Sequence, residues 1–199
     1  MHSIFKFGIL LISLISATFI SNAQLNARFG FKGGGSFLHG NWSQQSNYFS
    51  YSDNGLGAGL FGGMLLEFSG KSKSSKLKLQ IEALYQYNTI VFEYNQVYFS
   101  NVNIPLSLKY FVKPNFSFNA GVAANINLGI RNYDNSVGYK RTISNYQLVQ
   151  PGLHIGMSYY MVKGLFLDLR YNAVLTDMID QNNNLMHGSL QFGIGYKFR

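Results

Sequence analysis

Apolar residues occupy every second position over long stretches of this chain, and polar or small residues fill the positions between them. The C-terminal stretch LQFGIGYKFR shows the pattern, because Leu190, Phe192, Ile194, Tyr196 and Phe198 alternate with glutamine, glycine and lysine. A period of two is typical of a β-strand whose two faces meet different surroundings. A helical period is not evident after the N-terminal segment, so the pattern predicts an all-β protein.

Eight segments carry this alternation: 27–38, 56–69, 76–88, 101–112, 116–131, 148–161, 165–175 and a last one from about 188. The connections after the first, third, fifth and seventh segments are long, and those after the second, fourth and sixth are short. Alternating short turns and long loops are typical of an up-and-down transmembrane barrel. Closing the sheet pairs every backbone group that would otherwise face lipid. An even number of strands places both termini on the periplasmic side.

The strands of a soluble β-sandwich also alternate between apolar and polar residues, so composition has to distinguish a sandwich from a transmembrane barrel. Only 12% of the residues are charged, while the chain holds 21 glycines, 17 phenylalanines and 14 tyrosines. This combination favours a protein that shows apolar rings to lipid and packs small residues inside. We therefore predict one domain, residues 24–199, folded as an eight-stranded antiparallel up-and-down transmembrane β-barrel.

Residues 1–23 have the features of a cleavable signal peptide. Lys6 supplies a positive charge, an apolar run follows, and Ser21-Asn22-Ala23 forms a small-x-small cleavage site. A transmembrane anchor is the alternative, but the run is shorter than the ~20 apolar residues that a helical span needs. The chain has no cysteine, so disulfides, thiolate metal sites and a lipoprotein anchor are excluded. The predicted location is the outer membrane of a Gram-negative cell.

Aromatic side chains gather where this topology places the periplasmic interface, as amphipathic rings do at headgroup level. The predicted girdle consists of Phe29, Phe68, Tyr110, Phe116, Tyr159 and Phe198. Two prolines fall inside strands, where they cannot donate to the ladder. We interpret Pro105 and Pro151 as sites of local bulges.

The inward positions carry ions, and an eight-stranded barrel has an interior that side chains can fill. We therefore expect no open pore and a structural network of paired ions with trapped water. A small anion site in the lumen is the alternative. The predicted network has seven cations and three anions: Arg28, Lys32, Glu67, Lys78, Glu82, Lys109, Arg131, Asp168, Arg170 and Lys197.

Four stretches carry a family resemblance: RFGFKGGGSF, NIPLSLKYF, FSFNAGVAANINLGI and GSLQFGIGYKFR. They resemble the PorT-like family of small outer-membrane β-barrel proteins over nearly the whole mature chain. The resemblance implies an eight-stranded barrel in a Gram-negative outer membrane, and one family member is linked to a protein secretion system. Arg199 departs from the terminal aromatic residue common in such barrels, which makes Phe198 the expected anchor of the assembly signal.

Enzymatic chemistry has one candidate location, the outer rim. His39 ends the first strand and His187 begins the last, and these strands are neighbours once the barrel closes. With Ser36, Ser189, Asp177 or Asp180 they suggest a Ser-His-Asp hydrolase or a two-histidine metal site. The alternative is that they are ordinary loop residues, and His154 is expected to be a hydrogen-bonding residue of the lumen. Gly33-Gly34-Gly35 precedes no helix, so it is not a phosphate loop.

The first long loop is aromatic and polar, with Trp42, Tyr48 and Tyr51. We interpret it as a mobile loop, with a contact surface as the alternative.

The sequence therefore favours a non-enzymatic structural or interaction protein without a catalytic site, metal or cofactor. The expected partners are outer-membrane lipids and lipopolysaccharide, the barrel-assembly machinery during insertion, and envelope proteins that meet the loops. The location argues against nucleic acid despite the net charge of +8. The alternatives are a lipid A hydrolase or acyltransferase, an accessory barrel of a secretion system, and a narrow channel.

Overall fold

The chain folds into nine antiparallel strands in a computed structural model that describes residues 26–45, 50–70, 76–134, 138–143, 146–161, 164–178 and 183–198. The predicted signal peptide lies outside these residues. In the described ranges there is no helix long and apolar enough to cross a membrane. The strands are β1 Asn26–Gln45, β2 Ser50–Ser69, β3 Leu77–Val91, β4 Asn95–Lys113, β5 Phe116–Asp134, β6 Tyr139–Ile143, β7 Val149–Tyr160, β8 Leu165–Val174 and β9 Asn183–Lys197.

Eight of these strands form a closed ring. Neighbours pair in the order β4-β3-β2-β1-β9-β8-β7-β5, and pairing of β4 with β5 closes the sheet. The first and last strands pair from Gly30–Lys197 to Gln44–Asn183, so the C-terminal stretch is the closing strand. The ninth strand, β6, pairs with the far end of β5. The predicted eight-stranded barrel is confirmed, and the region predicted as a loop at 132–147 contains an additional short strand.

The two ends of the barrel differ in the way the strands are joined. At one end, the turn end, two residues connect β4 to β5, and Gly164 adopts a φ of +96° in the turn before β8. A left-handed backbone of this kind favours glycine. At the other end, the loop end, the expected long loops 39–55 and 89–100 are mostly strand. The buried side chains of Trp42, Ile90, Phe92, Val97 and Phe99 in these stretches are apolar and belong to one cluster.

The outer face of the ring is apolar and the inner face is largely polar. Leu79 is 43% exposed and Leu128 is 52% exposed, as expected of side chains that contact lipid. All nine described strands belong to one sheet, so within the described residues no second sheet covers this face. This arrangement excludes the sandwich alternative.

The bulges lie at other positions than the prolines suggest. Pro105 pairs with Ala123 and Pro151 with Ala124, without a register shift at either position. The register of β4 and β5 shifts instead where Ser100 and Asn101 face the segment 127–129, which leaves Leu128 as the extra residue. A bulge reverses the facing of every residue beyond it.

Glycine allows close strand packing at one inward position in particular. A Cβ atom on Gly121 would contact the carbonyl oxygen of Leu106 on the neighbouring strand and lie 2.8 Å from His154 Cε1. Any side chain at position 121 would therefore clash with the backbone of β4. This agrees with the role expected for inward glycines, which relieve crowding in a narrow barrel.

Candidate functional site

The lumen is the candidate site, because most of the predicted ion network lies there. Eight of the predicted ion-network side chains line the interior: Lys32, Glu67, Lys78, Glu82, Lys109, Asp168, Arg170 and Lys197. Arg28 lies at the turn end of β1 and is exposed. Arg131 is also exposed, because it follows the bulge at Leu128 and the facing of β5 reverses there. The predictions that placed Arg28 and Arg131 in the lumen are therefore wrong.

We expect Arg131→Ala to change the free energy of unfolding by less than about 0.5 kcal/mol, as exposed substitutions usually do. Equilibrium unfolding of the refolded barrel in urea, followed by the fluorescence of Trp42, measures this. A loss above about 1 kcal/mol would contradict the position of Arg131 outside the network.

Four ions form a compact cluster at the middle of the barrel, which we call the central cluster: Lys32, Glu82, Asp168 and Arg170. Lys32 Nζ lies 2.8 Å from Glu82 Oε2 and donates to Asp168 Oδ1 at 2.9 Å. Arg170 Nη2 donates to Glu82 Oε1 at 2.6 Å. The four side chains are at most 3% exposed, and the two cations balance the two carboxylates.

Neutral side chains also donate hydrogen bonds to the central carboxylates. Gln80 Nε2 donates to Glu82 at 2.6 Å, and Ser158 Oγ donates to Asp168 at 2.8 Å. Among the residues that the structure describes, Arg170 Nε and Nη1 are buried without a partner, as are Gln191 Oε1 and Asn172 Oδ1. Both donors and acceptors lack hydrogen-bond partners here, and ordered water can satisfy both kinds of group.

A second group of ions, the turn-end cluster, consists of Glu67, Lys78, Lys109 and Lys197. Glu67 accepts from Lys78 Nζ at 3.1 Å and is in direct contact with Lys197 Nζ. Lys109 Nζ donates to the phenol oxygen of Tyr160 at 3.1 Å, and Lys197 donates to the same oxygen at 2.9 Å. This cluster holds three lysines and one carboxylate.

A layer of amide side chains lies beyond the ions, toward the loop end. Asn127 Nδ2 donates to Gln150 Oε1 at 3.0 Å, and Asn101 Nδ2 donates to Gln86 Oε1 at 3.3 Å. The alternation in the sequence places the asparagines of β5 on the inward face. It does not show which strands their side chains contact. The layer includes Ser36, Gln86, Asn88, Asn101, Asn103, Asn125, Asn127 and Gln150.

An apolar cluster fills the lumen at the loop end, and sequence reasoning missed it. We call this cluster the cap. Trp42, interpreted from sequence as part of a mobile loop, belongs to β1 and packs against Phe92 with ring centroids 5.9 Å apart. Tyr48 lies outside the described residues. In the sequence, the inward-facing positions change from polar to apolar residues toward the loop end, and this change is the signal that could have predicted the cap. The buried members of the cap are Leu38, Trp42, Ile90, Phe92, Val97, Phe99, Ile130, Met178 and Leu185.

The rim histidines do not form the catalytic arrangement considered from sequence. Both line a cleft of about 420 Å³ at the loop end. His39 faces outward, where its Nε2 lies 3.3 Å from the Tyr171 hydroxyl, while His187 packs against the Phe99 ring of the cap. Ser36 and Ser189 face inward and hydrogen-bond to asparagines. Asp180 lies outside the described residues, and within these no group of three potential ligands could hold a metal.

His154 faces the lumen, where its Nε2 lies 2.8 Å from Ser107 Oγ.

The side chains predicted as an aromatic girdle lie together at the turn end. Phe29 stacks on Phe198 with ring centroids 5.9 Å apart, and Phe116 contacts Phe118 edge-on at 5.1 Å. Phe116 pairs with Tyr159, while Tyr110 and Phe68 lie at the same end of their strands.

The chain is similar to known outer-membrane proteins. No curated protein matches the chain significantly. Among solved structures it is similar to Neisserial surface protein A, with 16% identity and a TM-score of 0.52 over 87% of this chain and 99% of that one. Ail of Yersinia pestis has 11% identity to this chain and a TM-score of 0.43, over 84% of this chain and 98% of that one. The outer membrane protease OmpT of Escherichia coli has 9% identity to this chain and a TM-score of 0.44, over 89% of this chain and 99% of that one.

These likenesses concern the fold alone. The decisive match is to a family: residues 22–180 match the family described as outer membrane protein beta-barrel domain. That match covers most of the chain and agrees with the closed sheet and its apolar outer face. The chain is an outer-membrane β-barrel protein and belongs to the outer membrane protein beta-barrel domain family.

Proposed function

We propose that this protein is a non-conducting, non-enzymatic outer-membrane barrel with a structural or interaction role. One observation carries the proposal: side chains fill the lumen in successive layers from the turn end to the loop end. The turn-end cluster, the central cluster, the amide layer and the cap follow one another along the barrel. This filling supports the proposal, because we expect no continuous water-filled path through an eight-stranded barrel whose interior is occupied by side chains.

We also propose that the turn end faces the periplasm and the loop end faces the outside. Short turns are periplasmic in barrels of this kind, and an even number of strands leaves both termini on that side. Charge supports this orientation. Among the described residues, the exposed ions at the turn end are all basic, namely Arg28, Lys76 and Lys113, whereas the loop end exposes the acidic Glu93 as well as the basic Arg131.

Planar-bilayer recording tests the absence of a pore. The refolded mature chain is expected to give no reproducible conductance steps, because ions and apolar side chains block the lumen. A porin refolded by the same procedure is the positive control. Discrete steps of constant size from the purified protein would contradict the proposal and favour the narrow-channel alternative.

Mass analysis of lipid A tests the absence of enzymatic activity on the envelope. We expect the same lipid A profile in a deletion strain and its parent, because within the described residues His39 pairs with the Tyr171 hydroxyl and His187 Nδ1 has no partner, so neither histidine is joined to a serine or a carboxylate. A lost acyl or phosphate modification that returns on complementation would establish the hydrolase or acyltransferase alternative.

The proposed partners follow from location. Outer-membrane lipids and lipopolysaccharide would meet the apolar outer face, the barrel-assembly machinery would act during insertion, and other envelope proteins would meet the loops. The resemblance to the PorT-like family adds accessory work in protein secretion, which rests on family analogy alone. The described residues offer no further feature that favours this role.

A further inference from the structure

A group of basic side chains at the turn end has no exposed acidic neighbour among the described residues. Arg28 and Lys76 are exposed there, and Lys78 is 19% exposed at the edge of the turn-end cluster. We call these three residues the basic arc. Glu67 is the one described carboxylate at this end, but it is buried and already pairs with Lys78 and Lys197.

The basic arc lies on neighbouring strands. Arg28 belongs to β1 and Lys78 to β3, the two strands that flank β2 in the ring. Lys76 directly precedes β3, and its carbonyl oxygen still accepts a backbone hydrogen bond from β4. In the sequence, the connection from β2 to β3 also contains Lys71 and Lys73. Cations therefore follow one another at the turn end of three consecutive strands.

The basic arc lies on the inner face of the sheet and not on its lipid-facing side. Directly opposed residues of antiparallel strands project from the same face. Arg28 pairs with the buried Glu67, and Lys78 pairs with the buried Lys109. Lys76 lies two positions before Lys78, so it shares the same face. At the end of the strands, this face forms the rim of the lumen.

The outward residues next to the basic arc are apolar or aromatic. Phe29 follows Arg28, and Leu77 lies between the two lysines and pairs with Tyr110. All three of these outward side chains are exposed. A lipid headgroup beside the barrel therefore meets aromatic and aliphatic groups, whereas the basic arc faces the aqueous space beyond the rim.

Buried charge beneath the rim adds to the positive potential of the basic arc. At ordinary protonation the turn-end cluster has three lysines and one carboxylate. A cleft with low-dielectric walls and surplus charge of one sign concentrates the field at its opening. None of the ion pairs among the described residues involves Arg28 or Lys76, so both are available to a partner.

We propose that the basic arc docks an acidic segment of another envelope protein, a stretch rich in aspartate and glutamate. This inference rests on the proposed interaction role, and the proposed orientation places the partner in the periplasm. Carboxylates of the segment pair with Arg28 and Lys76 at the rim of the lumen. Because single exposed ion pairs are weak, the affinity depends on several charges acting together.

Peptide binding to the refolded mature chain in phosphatidylcholine nanodiscs tests this inference. The probe is a short fluorescein-labelled oligoglutamate, and its fluorescence anisotropy reports binding. We expect saturable binding that weakens as salt is added, because salt screens exposed charges. Oligoglutamine of the same length is the control and is expected not to bind. No binding of oligoglutamate, or equal binding of the two peptides, would overturn the proposal.

Paired substitutions locate the site. Arg28→Gln with Lys76→Gln is expected to raise the dissociation constant about fivefold, as for the loss of two exposed ion pairs. The matched control, Lys113→Gln with Arg131→Gln, removes the same charge elsewhere. Lys113 pairs with Phe116 of the aromatic girdle, and Arg131 lies near the loop end. Equal weakening by the two double variants would show attraction by net charge alone and would overturn the site.

A lipid ligand is the competing outcome, and native mass spectrometry of the barrel with phosphatidylglycerol distinguishes it. We expect the parent and the Arg28→Gln, Lys76→Gln variant to retain equal amounts of this lipid. Loss of the lipid from this variant alone would assign the basic arc to headgroups and overturn the protein partner. Both ends of a barrel in a nanodisc are accessible, so these results do not depend on orientation, conductance or lipid A analysis, and this inference and the proposed function fail separately.

Discussion

Glu82→Gln is expected to lower the free energy of unfolding by about 3–5 kcal/mol, the cost of breaking a buried ion pair. Glu82 is 2% exposed and binds both Lys32 and Arg170, at 2.8 Å and 2.6 Å. Glutamine keeps the shape of the side chain but removes its charge. Asp168 would then be the one remaining carboxylate of the central cluster, facing the buried cations Lys32 and Arg170.

The measurement is equilibrium unfolding of the refolded barrel in urea, with Trp42 as the probe of the folded interior. Glu93→Gln is the matched control, because Glu93 is exposed in the connection between β3 and β4. We expect the control to change the stability by less than about 0.5 kcal/mol. A Glu82→Gln barrel within about 1 kcal/mol of the parent would show that the central cluster contributes little to folding.

Phe99→Ala is expected to cost a similar amount, about 3–5 kcal/mol, for a different reason. Phe99 is 1% exposed within the cap and contacts His187 edge-on, with ring centroids 5.1 Å apart. Removing a buried phenylalanine ring loses its transfer free energy and leaves a cavity that the surroundings fill only in part. The rigid wall of a closed barrel limits that collapse.

Tyr139→Ala serves as the control for this variant, because Tyr139 is an aromatic residue at the loop end that is 64% exposed. Urea unfolding of both variants should separate them by more than about 2 kcal/mol. If the two variants proved equally stable, the cap would be loosely packed and could not close the lumen.

The order of residues along the chain was sufficient to predict the strand pattern and the two faces of the sheet. A side chain's facing depends on the parity of its position, which is a local property of an extended chain. The apolar positions were expected to face lipid, and Leu79 and Leu128 among them are exposed, while Glu67, Glu82 and Asp168 were expected inside and are buried.

Local parity fails where the backbone is irregular. The bulge at Leu128 reverses the facing of Ile130 and Arg131, so Ile130 enters the cap and Arg131 leaves the lumen. Gly129 beside Leu128 is of a type that often marks a bulge, but the chain has 21 glycines, so it does not single out this position, and the prolines that suggested bulges fit the register. The extra residue is visible only when β4 is aligned with β5.

The sequence by itself determined that this protein is a barrel with an apolar outside and an ionic inside, because alternation acts residue by residue. Only the tertiary structure decided which ions meet. Lys32 and Asp168 are 136 positions apart, and Arg170 and Glu82 are 88 apart, so closure of the ring sets their contacts. The same closure leaves Lys109 beside a phenol instead of a carboxylate, because its neighbours come from strands that no local pattern can assign.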